Sequence, residues 1–205
     1  MLKIETFSVM NFENAVRGMR NPMNSWAQSD SRVDGDGRFV FGEADLALAK
    51  KLCAAGSDHR KFLRQILVSV DILAPLYWWK EFDTYKVATV ANSTSTMHKI
   101  HSKPFSVEDF SHDKLSPEAM AYLEDVVDKL EELRKHYRQT KEKGDWYDII
   151  QLLPSGYNQL RTVTLNYETL RNMHGSRRSH KLDEWQAFCD WIEGLPYAGE
   201  LIAAK

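Results

Sequence analysis

Between Ile66 and Ile72 the apolar residues Ile66, Val68, Val70 and Ile72 alternate with Leu67, Ser69 and Asp71, and the run ends at Pro75. Period two belongs to a strand, whose successive side chains leave on opposite faces. A strand is therefore expected from about Phe62 to Ile72. This strand sits in a chain whose other apolar residues recur mostly at helical spacing. Any fold for it must hold a sheet among helices, which makes the class α+β.

The opening Leu2-Lys-Ile-Glu-Thr-Phe-Ser-Val-Met10 alternates well enough for a second strand. Asn11 is placed to cap a short helix through Ala15 and Met19 that stops before Pro22. Residues 23–38 are polar around the Asp34-Gly-Asp-Gly37 turn and are expected as a loop. A helix follows from about Glu43 to Ala55, with Leu46, Leu48, Ala49 and Leu52 on its apolar side and Gly56 ending it. Ser116-Pro117 opens a long helix expected to reach about Lys143, with Gly144 as its stop. Leu123, Val126, Val127, Leu130, Leu133 and Tyr137 form its buried stripe, and Glu131, Glu132, Arg134 and Lys135 a solvated face. Asp145 caps a shorter helix ending near Pro154. Another spans about Leu165 to His174, and a last one, Asp183 to Glu193, turns Trp185, Phe188 and Ile192 inward. With no repeat, linker or low-complexity segment, residues 1–205 are expected as one helix-rich domain with a small sheet of early strands.

The 27 basic residues nearly balance the 29 acidic ones, so no global field points to nucleic acid or an anionic membrane surface. No apolar run approaches a transmembrane helix and the N-terminus lacks a signal-peptide core, which suggests a soluble cytoplasmic protein. Cys53 and Cys189 read as small core residues in a reducing compartment, and no Cys/His spacing suggests a zinc site.

Four clusters carry polar chemistry. Gly56-Ser-Asp-His59-Arg60-Lys-Phe62 is a turn feeding the period-two strand, either solvated or offering His59 and Arg60 to a ligand. Next, Pro75-Leu-Tyr-Trp-Trp-Lys-Glu-Phe82 leads through Tyr85 and Lys86 into Asn92-Ser-Thr-Ser95-Thr-Met-His98. That order fits a buried helix with a polar loop. It also fits an aromatic wall (Trp78, Trp79, Tyr85) facing the short donors and acceptors that sugar or phosphate recognition needs. The third cluster gathers Arg171, His174, Arg177, Arg178, His180 and Lys181 where a helix is expected to end at Gly175. Cations there offset the helix dipole, and an Arg fork also matches a phosphate or a uracil edge. The fourth, Leu152-Leu-Pro154-Ser-Gly156-Tyr157, is a helix exit. No nucleophile elbow or glycine-rich phosphate loop is present. Hydride chemistry delivered by a bound cofactor requires neither.

Taken in order from about residue 10 to 194, these clusters resemble the flavin-dependent thymidylate synthases. That family has Gly-His-x-Ser-x-x-Glu-His before a strand, which Gly56 to Phe62 resembles. Its signature is Arg-His-Arg-x-x-Ser-x-Asn-Glu-x-Ser-x-Arg. Here Thr84-Tyr85-Lys86 stands at the triplet, and Asn92 and Ser95 align with the signature's Asn and second Ser after a one-residue insertion. Ser93 replaces the glutamate and Met97 the final arginine. The family's Arg-x-x-Leu-Pro survives as Leu153-Pro154 with Ile150 for arginine. Its Asn-x-x-x-Leu-x-Asn/His-Phe-x-x-x-Arg helix is matched by Asn166, Leu170, Asn172 and Arg177, with Met173 for Phe.

The resemblance implies a flavin-dependent thymidylate synthase-like fold and a homotetramer. It also implies a divergent enzyme that reductively methylates dUMP or a related pyrimidine nucleotide, with FAD as flavin and NADPH and methylene-tetrahydrofolate as cosubstrates. Arg177 would be the catalytic arginine that binds and polarises the substrate, and Ser95, Asn172 and Arg178 further substrate contacts. His59, Lys86, Asn92, Asn166 and Asn172 would lie at the cofactor. The replaced arginines remove charge-assisted bonds worth on the order of 1.5–3 kcal/mol each. They leave a second expectation, a nucleotide-binding or oligomeric scaffold that keeps the fold without the chemistry.

Overall fold

The computed structural model describes residues 2–204. In chain order these form β1 (Lys3–Met10), α1 (Phe12–Arg20), β2 (Arg32–Val33), β3 (Phe39–Val40), α2 (Glu43–Ala54), β4 (Leu67–Pro75) and α3 (Leu76–Phe82). There follow β5 (Val90–Ser93), α4 (Pro117–Thr140), α5 (Lys143–Leu152), β6 (Asn158–Asn166), α6 (Tyr167–Arg177), α7 (Asp183–Glu193) and α8 (Ala198–Leu201). The main sheet has the strand order β1-β4-β6-β5, and β2 and β3 make a separate antiparallel pair. The fold is helix-rich α+β. The chain packs as two compact units. The first takes in the residues up to Glu5, Asp71–Thr84 and Ala91–Thr162; the second takes in Thr6–Val70, Tyr85–Val90 and the chain from Val163 onward. Four of the five boundaries fall within β1, β4, β5 and β6 and the other follows α3, so no linker marks them in the sequence.

In the first unit α3 starts at Pro75, and the amides of Leu76 and Tyr77 donate to the carbonyls of Tyr157 and Ser155, 3.0 Å each. The helix exit at 154–157 thus supplies acceptors for α3's first amides. Trp78, Trp79 and Phe82 are buried, and Trp79 Nε1 donates to the Gln159 carbonyl at 3.0 Å. Trp78 and Trp79 are therefore core residues, not the aromatic walls expected of them. Ser116 Oγ caps α4 by accepting from Ala119 N. The helix ends earlier than expected because Lys141 takes the left-handed conformation at φ 60, and Gly144 lies inside α5. Val127 and Leu130 join Ile100, Phe105, Phe110 and Ile149 in one apolar cluster, while Val126 is exposed. Part of the supposedly solvated face is also buried. Arg134 Nε and Nη2 each donate to Glu131 at 2.6 Å, and the same carboxylate accepts from Phe105 N. The Arg134 bonds, helped by the Phe105 amide against the cost of burial, hold Glu131 down at about 2.

In the second unit Phe62 and Leu63 are both buried, outside the alternation expected of a strand with one covered face. Residues 61–65 form a 3-10 turn instead, and the strand begins at Leu67. Residues 23–38 contain β2 and the turn into β3, and the approach to β2 is fastened to α2. The Asp45 carboxylate accepts from Arg20 Nε, Ser29 Oγ and the amides of Asp30 and Ser31. Asp30 in turn accepts from the Ala44 and Asp45 amides at the start of α2. Asn11 stands at the start of α1 in the left-handed region, and its Nδ2 donates to the Gln65 carbonyl at 2.8 Å. The unit's core gathers Ala15, Val16, Leu63, Val68, Tyr167, Leu170, Met173, Trp185, Phe188 and Ile192.

Candidate functional site

Helix α6 organises the polar groups of the second unit. Asn166 caps it, its Oδ1 accepting from Thr169 N at 2.9 Å and lying 3.1 Å from Thr169 Oγ1. The Thr169 hydroxyl also reaches the Val87 carbonyl at 3.3 Å, which ties the segment Tyr85–Val90 to the helix. That segment holds Ala88 at φ 56, a backbone state that costs an L-residue roughly 1–2 kcal/mol. At the far end of α6, Arg177 Nε donates to Tyr85 Oη at 2.9 Å. Its guanidinium carbon lies 4.8 Å from the Trp185 ring centre and 5.6 Å from that of Tyr85. His180 stands edge-on to the same indole. The result is a half-buried guanidinium set against two aromatic rings, an arrangement that orients an Arg fork.

The other cations of this cluster serve different partners. Arg171 donates to the carbonyls of Leu201, Ile202 and Ala204, closing the end of α8. His174 Nε2 lies 2.8 Å from Glu193, and Arg178 pairs with Asp190 at 2.5 Å and Glu193 at 3.3 Å. The helix runs through Gly175 to Arg177, so the expected stop at Gly175 is displaced. Asn172 is exposed on α6, and Lys86 is exposed beside Tyr85.

The turn before β4 also joins α6. Arg60 grips Glu168 through Nε and Nη2 at 2.9–3.2 Å, with both side chains largely buried. Neither residue's neighbours in sequence signal this pair, whose members stand 108 positions apart. His59, next to Arg60, lines a cavity of about 490 Å³ in this unit. Asp58, Lys61, Asn21 and Gln65 share its polar lining, over Leu52 and Phe62.

Asn92 and Ser95 belong to the first unit. Asn92 is exposed in β5, and the Ser95 hydroxyl accepts from the amides of Met97 and His98, 3.2 and 2.8 Å. Two positions where the resemblance expects arginine have structural uses here. Thr84 Oγ1 donates to the Glu81 carbonyl at the end of α3, and Ile150 packs against the apolar cluster of α4 and α5. The aromatic pairing of Arg177 with Trp185 escapes sequence reading, because Trp185 also fits the inward stripe of α7. Among the described residues, no group of three or more His, Cys, Asp or Glu is placed to hold a metal ion, and no helix is long and apolar enough to cross a membrane.

No protein-family model and no curated protein sequence matches this chain. Solved structures do. Thymidylate synthase X from Helicobacter pylori, with FAD and dUMP, matches at a TM-score of 0.73 and 17% identity, over 98% of this chain and 97% of that one. A second structure of flavin-dependent thymidylate synthase from the same organism, complexed with FAD and dUMP, matches at a TM-score of 0.67 and 18% identity over the same shares. The strand-and-helix order from β1 to α8 is thus one that those enzymes share almost end to end, and the chain has the fold of the flavin-dependent thymidylate synthases.

Proposed function

We propose that this protein binds a pyrimidine nucleotide at Arg177 and a flavin nearby, as a divergent relative of the flavin-dependent thymidylate synthases. The observation that carries this reading is the setting of Arg177. Tyr85 and Trp185 hold its guanidinium by a hydrogen bond and a ring face, which fixes the direction of a fork whose geometry suits an anionic or planar ligand. Asn172, on the same helix, adds an exposed amide able to read a base or ribose, and Arg178 is the further substrate contact proposed in this unit. In the two similar structures the ligands are FAD and dUMP.

The residues of the second unit fit a flavin dinucleotide in kind. His59 lies in a cavity whose volume suits a flat heterocycle, with a cation, the Asp58 carboxylate and two amides over an apolar floor. His59, Lys86, Asn166 and Asn172 are the residues of this unit proposed to hold FAD. The bound flavin would supply hydride to a pyrimidine carrying a one-carbon unit from methylene-tetrahydrofolate, with NADPH as reductant. This chain's part is electrostatic. Arg177 would neutralise charge that develops on the base, and Tyr85 would keep the fork aimed. A homotetramer and a cytoplasmic location belong to the same reading.

A second reading, a nucleotide-binding scaffold without turnover, is favoured by Ile150 and Thr84. One packs in an apolar cluster and the other caps its own helix, where the family resemblance expects arginines. Calorimetry with dUMP tests the shared claim. Arg177→Ala should abolish measurable binding, and unchanged affinity would remove Arg177 from the site. Tritium release from the base C5 of labelled dUMP then separates enzyme from scaffold.

A further inference from the structure

Around the end of α4 the first unit gathers exposed cations that form no ion pair with an acid, although the unit as a whole holds more acidic than basic residues. His101 packs edge-on against Tyr137 of α4, ring centres 4.9 Å apart, and its carbonyl lies 3.4 Å from Arg134 Nη1. Lys141 Nζ sits 5.4 Å above the other partner in that contact, the Tyr137 ring. Arg138 follows Tyr137 in sequence and stands one helical turn from Arg134, while Lys99 arrives two residues before His101. Glu142 follows Lys141 in sequence and forms no ion pair among the described residues, and three other nearby acids are engaged elsewhere. Glu131 takes Arg134 and Lys135, Asp109 takes Lys103, and Asp145 pairs with His136. Lys99, Arg138 and Lys141 form no ion pair with an acid among the described residues, and all three are exposed.

The dipole of α4 accounts for cations on its last turn, which covers Arg138 and Lys141. It does not account for Lys99 and His101, which come from a separate segment. Burial and the charges of Lys141, Lys99, Arg138 and Arg134 together push His101 below its usual value, and its Nδ1 is buried without a hydrogen-bond partner. Assembling like charges around a neutral imidazole costs stability in the free protein. A bound anion would offset that cost.

We propose that Lys99, Arg138 and Lys141, grouped around His101 and Tyr137, bind a compact, multiply charged anion of the phosphate class. The site lies in the first unit, on residues that the reading of Arg177 does not use. Two lysine point charges and one planar fork suit a diphosphate better than a single carboxylate.

The test is a titration of the intact protein with inorganic pyrophosphate at constant ionic strength, followed by the imidazole NMR signal of His101, which His101→Gln assigns. The wild type should show a saturable shift. Arg138→Gln/Lys141→Gln, both at exposed positions, should weaken it by about tenfold or more while leaving dUMP calorimetry unchanged. A parallel ADP titration identifies the source: equal affinity assigns the diphosphate alone, and tighter binding extends the site to a nucleoside diphosphate. No saturable shift in the wild type, or equal affinity in the double variant, overturns the proposal. Failure at Arg177 leaves this result untouched, because the probe and the variants differ.

Discussion

Arg177 and Trp185 meet face to ring, with the guanidinium carbon 4.8 Å from the indole centre, while Tyr85 accepts a hydrogen bond from Nε at 2.9 Å. The indole lies on α7 and the arginine on α6, so packing of the two helices sets the direction of the fork. Tyr85→Phe deletes only the hydroxyl. Affinity for dUMP in calorimetry should fall roughly 2–10-fold, the effect of one net hydrogen bond, with the melting temperature nearly unchanged. Full affinity in that variant would mean that Tyr85 does not orient the arginine.

Gly42 is required by space and not by conformation. A Cβ there would come within 2.1 Å of Asp30 Cγ and 2.5 Å of the Asp30 backbone carbon. Asp30 cannot yield without releasing the Ala44 and Asp45 amides that it accepts from. Gly42→Ala should therefore destabilise by about 1–3 kcal/mol or more in urea unfolding, whereas Gly144→Ala, with open space around it, should not.

Asp45 links stability to acid pH. Burial pushes its carboxyl up, but the bonds from Ser31, Ser29 and Arg20 outweigh that and hold it at about 2, below an ordinary value of 3.8. A depressed folded value means that its contribution is complete above about pH 4 and is lost as pH falls toward 2. The difference corresponds to about 2 kcal/mol. Asp45→Asn should flatten the stability profile across that window and lower stability at pH 7, because Arg20 is left buried beside a neutral amide.

Cys53 and Cys189 should be nearly inert to iodoacetamide in the folded protein at pH 8. Burial pushes both thiols up to about 11, so little thiolate is present. Labelling should appear with the urea unfolding transition. Rapid labelling in native buffer would place a thiol at the surface.

The Arg60–Glu168 pair tests whether the His59 turn depends on α6. Glu168→Gln leaves Arg60 largely buried without a charge partner and should cost about 3 kcal/mol. The loss should also loosen the His59 cavity, read as weaker flavin retention. Stability within 0.5 kcal/mol of wild type would show that the turn stands alone.

Strong periodicity made much of this fold legible. The alternation into β4, the Ser116-Pro117 start of α4 and the stripe of α7 each follow from local pattern. The misses have physical causes. In β6 the row of Gln159, Arg161, Val163 and Leu165 includes only two aliphatic residues, and Arg161 lies instead across the Trp79 ring at 4.2 Å. Trp78 and Trp79 read as a wall because composition does not tell core from cleft. The Glu131–Arg134 pair read as solvated because helical spacing does not reveal that the segment at Phe105 covers it. At the candidate site, Arg177 was legible through its spacing from Asn166. Its aromatic partners were not, since they lie on other segments.

The most direct test of the central claim is the visible absorption spectrum of the protein after incubation with FAD and desalting, repeated with dUMP and with Arg177→Ala. The account predicts a retained band of oxidised flavin, perturbed by dUMP in the wild type and unresponsive to it in the variant. A colourless wild-type protein whose spectrum dUMP leaves unchanged would contradict flavin and nucleotide binding on this fold.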